Sequence, residues 1–308
     1  RYVCPVGQYQ MAVSTISPRT VVAMDVDRCA TCATKDCLTG GPGGPGCGLD
    51  LLLPSKSGNL DCTFCLDCVS ACPHDNVGLV RQVPGRDLAE AGWRSGIGRL
   101  SRRLDFGALL AVLAIGGIVN AAGMTGPVVE VLEQFSGGGS GTLVQAAFVI
   151  VSILVGLAVL TLAAIGDSSA PRKERLTRAG LAIAPLGAAM WVVHFGFHLV
   201  TGWPTAEASM LRVAHDLGVS ERLPDRIMSC CVPPPDWMLP AELLVLSLGV
   251  AGSLGIAWWG WRAMAIQRND RPTPATITRR WIPSAMVFIT LWAVTAWIVF
   301  QPMEMRGT

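Results

Sequence analysis

The chain has 308 residues, 51% of them hydrophobic, and a mean hydropathy of +0.46, too apolar for a water-soluble protein of that length. Its 24 Lys and Arg nearly balance 22 Asp and Glu, and the net charge of +2 excludes the basic footprint of a nucleic-acid-binding protein. Eleven cysteines, nine of them before residue 73, point instead to metal or redox chemistry.

Residues 1–20 open as RYVCPVGQYQMAV, with neither an initiator methionine nor a signal-peptide pattern. Cys4-Pro5 reads as the end of a cysteine motif whose first half would lie upstream. The chain is therefore expected to be a fragment or a processed product with further spans before it. Residues 6–17 are expected to form a short amphipathic helix leading into a domain at 21–80.

That domain carries two cysteine sets. Cys29, Cys32, Cys37 and Cys47 lie in DRCATCATKDCLTGGPGGPGCGLD, a C-x2-C-x4-C opening followed by nine residues before Cys47. The glycines and prolines of that insert suit a backbone that bends sharply around an inorganic core. Residues 62–73, CTFCLDCVSACP, form the C-x2-C-x2-C-x3-C-P run that wraps an iron–sulfur cubane. In that run the first three thiolates face one cluster and the fourth reaches another. Two half-motifs thus predict an exchange, with Cys29, Cys32, Cys37 and Cys72 on one [4Fe–4S] cluster and Cys47, Cys62, Cys65 and Cys68 on a second. Structural zinc is the alternative for C-x2-C pairs, and it stays more open for the upstream set. His74 either tunes a cluster by hydrogen bonding or is an exposed or capping residue. Cys4 has no partner within the chain and belongs to neither set.

A basic linker, 81–103, leads to a membrane domain at 104–308. Five apolar blocks, about 104–122, 142–166, 179–201, 240–265 and 281–300, each approach the roughly 20 residues needed to cross a hydrocarbon core of about 30 Å. Helices are expected there because they satisfy their own backbone groups. Segment 81–103 has six arginines against Asp87 and Glu90, whereas 123–141 has Glu130, Glu133 and no basic residue. Segments 167–178 and 262–280 are again basic, and the long outer loop 202–239 has five acids and three arginines. By the positive-inside rule the basic segments, and with them both cysteine sets, face the cytoplasm of a bacterial-type inner membrane. The C-terminus then lies outside. Nine of the eleven cysteines fall in the reducing compartment, where thiolates remain available to metal.

The third span holds WVVHFGFHLVTGWP, with His194 and His198 on one helical face. They are candidates for a haem, metal or quinone site, because ionisable groups inside spans are functional candidates by default. Haem with two histidine ligands would need an opposing ligand from an upstream helix or a partner. Two interfacial histidines bonded to neighbouring helices are the plainer reading. On the outer face Cys230 and Cys231, with Met303 and Met305 in the tail, are candidate copper ligands, joined by Met228, Met238 and His215. A vicinal disulfide, a bridge to a partner or a docking surface stiffened by Pro233-Pro234-Pro235 are the competing readings.

Residues 1–80 resemble the membrane polyferredoxins that accompany periplasmic nitrate reductase, nitrous oxide respiration and assembly of high-affinity cytochrome oxidases. Those proteins pair a C-x3-C-P element with a two-cluster ferredoxin segment, and Cys4-Pro5 together with 62–73 carries the likeness. The nine-residue insert and five spans after the cysteines depart from the pattern. The resemblance implies electron transfer between the quinone pool or a cytoplasmic donor and a partner on the outer side.

The expected fold is an α-helical integral membrane protein with a small α+β ferredoxin-like, two-cluster cytoplasmic domain. No Rossmann fingerprint or nucleophile triad is present, and GGPGGPG lacks the strand and the GK[ST] of a phosphate loop. The expected function is an electron-transfer subunit of a respiratory membrane complex, partnered by cytochrome or oxidoreductase subunits and the lipid bilayer, rather than a stand-alone enzyme. A maturation factor reducing copper for an oxidase and a redox-sensing regulator are the alternatives.

Overall fold

The computed structural model describes residues 14–56, 58–59, 62–89, 93–94, 98–99, 103–137, 141–166, 170–219, 232–267 and 273–303. It is mostly helical, at 69%, with a small two-stranded sheet and five helices long and apolar enough to cross a membrane. Cys4, Cys230, Cys231, Met228 and Met305 lie outside the described residues, as does most of the expected helix at 6–17.

The sheet closes the cysteine-bearing segment. β1 (Arg19–Ala23) pairs antiparallel with β2 (Val77–Arg81), in a register running from Arg19↔Arg81 to Ala23↔Val77. The β-branched residues of RTVVA and VGLVR suit this half-buried ribbon. Everything between the strands is thereby a closed excursion. It contains α1 (Val26–Thr31), α2 (Asp36–Thr39), a 3-10 turn (Leu53–Ser55) and α3 (Asp67–Ser70). Val21, Leu53 and Val77 form the buried apolar cluster, and Cys37, Cys62, Cys68 and Cys72 pack around it.

Polar side chains pin the excursion to β1. Lys56 Nζ donates to Val21 O at 2.9 Å and Thr20 Oγ1 at 3.1 Å. Asn59 Nδ2 donates to Arg19 O at 2.7 Å, and the Asn59 amide donates to the buried Asp87 carboxylate at 2.6 Å. Each such bond is worth about 1 kcal/mol net, and more where a charge is involved. Beyond β2 come α4 (Arg86–Ala89) and a short ribbon of β3 (Trp93–Arg94) and β4 (Gly98–Arg99).

The membrane helices are α5 (Leu104–Ala122), α7 (Gly141–Leu162), α9 (Ala184–Asp216), α10 (Met238–Gln267) and α11 (Pro274–Val299). Two shorter ones, α6 (Gly126–Ser136) and α8 (Arg172–Ala182), lie between them. The loops differ from expectation in two places. Segment 123–141 contains the helix α6, and α9 continues through residues 202–216, which were expected to be outer loop. At 33 residues α9 measures about 50 Å, well beyond a hydrocarbon core of about 30 Å. Pro204 lies inside it. The strong helix formers in TAEASMLRVAHD outweigh the one backbone bond that proline removes.

By contacts the chain divides into two compact units. The first comprises Arg1–Leu110, Ala163–Ala182 and Leu254–Ala285, and so contains the cysteine segment and one end of the helices. Within it, the buried Arg178 on α8 donates through NH1 to Leu88 O at 3.2 Å and Ala89 O at 3.1 Å, which ties α4 to the helices. Trp261 Nε1 donates to Ser284 Oγ at 3.2 Å, and the Ser284 hydroxyl in turn donates to Ala163 O at 2.8 Å.

The second unit comprises Ala111–Leu162, Ile183–Ser253 and Met286–Thr308. Here small residues let helices touch, as expected where lipid supplies no hydrophobic drive between them. A Cβ on Gly187 of α9 would strike Ala114 of α5, and one on Gly249 of α10 would meet Ala189 of α9. Trp191 Nε1 donates to Leu113 O at 2.9 Å, and Ser253 Oγ accepts the otherwise orphaned Leu186 amide at 3.1 Å.

Candidate functional site: two thiol quartets

The eight cysteines from Cys29 to Cys72 are free thiols, seven half-buried and Cys65 exposed. Local backbone explains how they turn inward. Asp25 caps α1, its Oδ1 accepting from the amides of Asp27 at 2.9 Å and Arg28 at 3.2 Å, and α1 carries Cys29. Lys35 (φ 52°) and Leu66 (φ 66°) sit in the left-handed region just before α2 and α3. Each bend swings an Asp-Cys pair, Asp36-Cys37 or Asp67-Cys68, into the first turn of a four-residue helix. Such conformations cost non-glycine residues of order 1 kcal/mol or more, so the surroundings must hold them.

The thiols fall into two groups. Cys37 interacts electrostatically with Cys72, Cys29 and Cys32. Cys68 interacts with Cys62, Cys47 and Cys65. Burial, and then these like neighbours, push the Cys37 thiol up and the Cys68 thiol up to about 11. Cys32 moves the other way, lowered chiefly by the backbone N–H of Lys35 directed at its sulfur. Each group draws on both sequence sets, Cys72 crossing to the upstream trio and Cys47 to the downstream one.

Cys47 reaches its place because the insert is a closed detour. Its amide donates to Cys37 O at 3.1 Å, so residues 38–46 leave and return to one point. Gly46 passes so close to the Leu38 carbonyl and the Gly40 amide that a Cβ has no room. Gly43 lies equally tight against the carbonyl of Ser70 at the end of α3. The six residues that lengthen this loop relative to the Cys68–Cys72 connection are thus stacked on the opposite half-motif.

The Cys29 group lines a recess that Arg28, Lys35, His74 and Asn76 share. Asn76 went unnoticed in the sequence, yet it directs two N–H groups at sulfur. Its backbone N–H donates to Cys72 Sγ at 3.4 Å and its Nδ2 to Cys29 Sγ at 3.2 Å. Among the described residues no group of three or more His, Cys, Asp or Glu side chains is placed to hold a metal ion.

On α9, His194 is 3% exposed and its Nε2 accepts from Asn120 Nδ2 of α5 at 3.0 Å. The His198 ring stands edge-on to it, centroids 4.7 Å apart. This nitrogen of His194 is therefore bonded to a protein side chain, and Asn120 is a second residue that spacing alone did not reveal. Glu242 is a third, a 9% exposed carboxyl within the apolar run of α10. Of the outer-face candidates, Met303 forms a backbone bridge with Thr125, Met238 is buried at the start of α10, and His215 closes α9 beside Asp216 at 3.6 Å. No family model matches the chain, and no curated protein or solved structure matches it either.

Proposed function

We propose that the chain is a membrane-embedded one-electron carrier holding two [4Fe–4S] clusters, and that it serves as a redox subunit of a larger respiratory assembly. The observation that carries this reading is the recess lined by Cys29, Cys32, Cys37 and Cys72, which joins a cysteine of the downstream motif to the upstream trio, while the like neighbours of Cys68 are Cys62, Cys47 and Cys65. A cubane takes one thiolate on each of its four irons, and four cysteines per group are the donor set it calls for. Cys29, Cys32, Cys37 and Cys72 would hold one cluster and Cys47, Cys62, Cys65 and Cys68 the other. Each bound cluster supplies reversible one-electron chemistry whose potential depends on charge, hydrogen bonds to sulfur and exposure.

The chain's own residues set those conditions. Val21, Leu53 and Val77 keep water from the back of the thiols, while Asn76 and the Lys35 amide direct N–H groups at sulfur. Cys65, exposed at the rim, marks an edge where a donor or acceptor can approach. The five spans contain no cysteine, so transfer across about 30 Å of hydrocarbon requires a quinone or a partner's centre. This supports a subunit over a stand-alone enzyme. The arginine-rich segments support a cytoplasmic position for the thiols and an external C-terminus.

Metal analysis of the purified chain tests the reading, with about eight irons and matching sulfide expected. Stoichiometric zinc in their place would sink it. A reporter fused after Thr308 tests the orientation, and activity on the cytoplasmic side would reverse it.

A further inference from the structure

We propose that Asn76 makes the two cluster sites unequal, holding the reduction potential of the Cys29, Cys32, Cys37 and Cys72 site above that of its counterpart. The inference rests on the iron–sulfur reading above and extends it to a positioning residue and an internal direction for the electron.

Asn76 is 6% exposed, and every polar atom of its carboxamide is engaged. Oδ1 accepts from the Asp25 amide at 2.9 Å. One Nδ2 proton goes to Asp25 O at 2.7 Å and the other to Cys29 Sγ at 3.2 Å. The amide orientation is dictated by this network, since a flipped group would set N–H against the Asp25 N–H. The Asn76 backbone N–H donates to Cys72 Sγ at 3.4 Å. A single residue thus reaches two sulfurs of one quartet. Through Asp25, the cap of α1, it also locks the helix that carries Cys29.

The other quartet has the same turn without the donor. Cys47-Gly48-Leu49-Asp50-Leu51 and Cys72-Pro73-His74-Asp75-Asn76 run in parallel, with Asp50 (φ 53°) and Asp75 (φ 47°) both left-handed. In each, the aspartate amide bonds back to the cysteine carbonyl, at 3.0 Å for Asp50 and 3.4 Å for Asp75. One residue further on, the first turn has Leu51, 5% exposed, where the second has Asn76. A leucine side chain has no hydrogen to give.

An N–H aimed at a thiolate sulfur draws off negative charge and favours the state carrying one more electron. The Asn76 site is therefore the easier to reduce, and an electron entering the chain settles there.

Redox titration of the iron-loaded, detergent-solubilised chain, read by low-temperature EPR, tests this. Two midpoint potentials are expected. Asn76→Asp keeps the acceptor for Asp25 but removes both side-chain donors, so the higher potential shifts down and the lower one stays. Asn76→Ala adds no charge and produces a smaller downward shift. In a Cys65→Ser background, where only the Asn76 site remains intact, the same shift persists. Unchanged potentials in both variants, or a shift confined to the lower site, would overturn the proposal. Loss of about four of the eight irons in both variants would also overturn it, because Asn76 would then hold the site together rather than tune it. Wild-type protein without iron would remove the iron–sulfur reading itself.

Discussion

Between Arg19 and Arg81 one buried apolar cluster joins Val21, Leu53 and Val77, with cysteines packed around it. In the membrane helices α9 and α10 completely bury Leu186, Met190 and Leu246. The cysteine segment outside β1 and β2 is held by short-range backbone turns and spends several residues in left-handed conformations. The helices satisfy their own backbone and meet through glycine and alanine. Short segments of this kind commonly take a staple such as a structural metal, which is the proposed role of iron here, whereas the helices pack against lipid and each other.

The sharpest way to break this contrast is to remove the proposed iron. Chelation under reducing conditions should open residues 19–81 to protease, with cleavage at Arg28 and Lys35, while the helical circular dichroism signal stays nearly constant. Equal protection with and without iron would mean the small core suffices alone.

Half of that effect is expected from Cys65→Ser. Iron should fall from about eight to about four per chain, with the EPR signal of the Asn76 site retained. Loss of both clusters would show that the quartets assemble as one unit.

A change in the helices should do the opposite. Gly187→Leu forces a branched side chain into Ala114 and should cost about 1–3 kcal/mol. A lowered melting temperature in detergent with iron content unchanged is the expected pair of readings. Iron loss would reveal coupling that the comparison does not contain.

The smallest effect concerns pH during reconstitution. Metal binding requires thiolates and so releases protons. The Cys68 thiol, pushed up from 9.0 to about 11, must be ionised against burial, and Cys37 is raised likewise. Loading should therefore be more complete at pH 9 than at pH 7, because less free energy goes into proton removal as pH rises. Cys32, lowered by the Lys35 amide, should be the readier of the two to react when Cys32 and Cys68 are compared by alkylation of the metal-free chain. A flat dependence of iron uptake on pH would contradict the assignment of Cys68 as a ligand.

Much of this protein was determined by the sequence alone. Five apolar runs become five helices because, without water, a backbone of that length has no better way to satisfy its amides. The cysteine spacings announce the thiol-rich domain for a similarly local reason, since a loop of two residues between ligands leaves few ways to turn. What spacing does not contain is distance between remote segments. Cys72 shares a recess with Cys29, and the closure that allows it is the pairing of β1 with β2, some sixty residues apart. Asn76 and Asn120 stayed hidden because an amide side chain has no periodicity. Only the tertiary structure puts one against Cys29 and the other against His194. α9 runs past the apolar block 179–201 because the helix formers after Pro204 continue it, a length that hydropathy alone does not contain. Local rules set which elements form, and the folded chain alone decides which polar atom faces which sulfur.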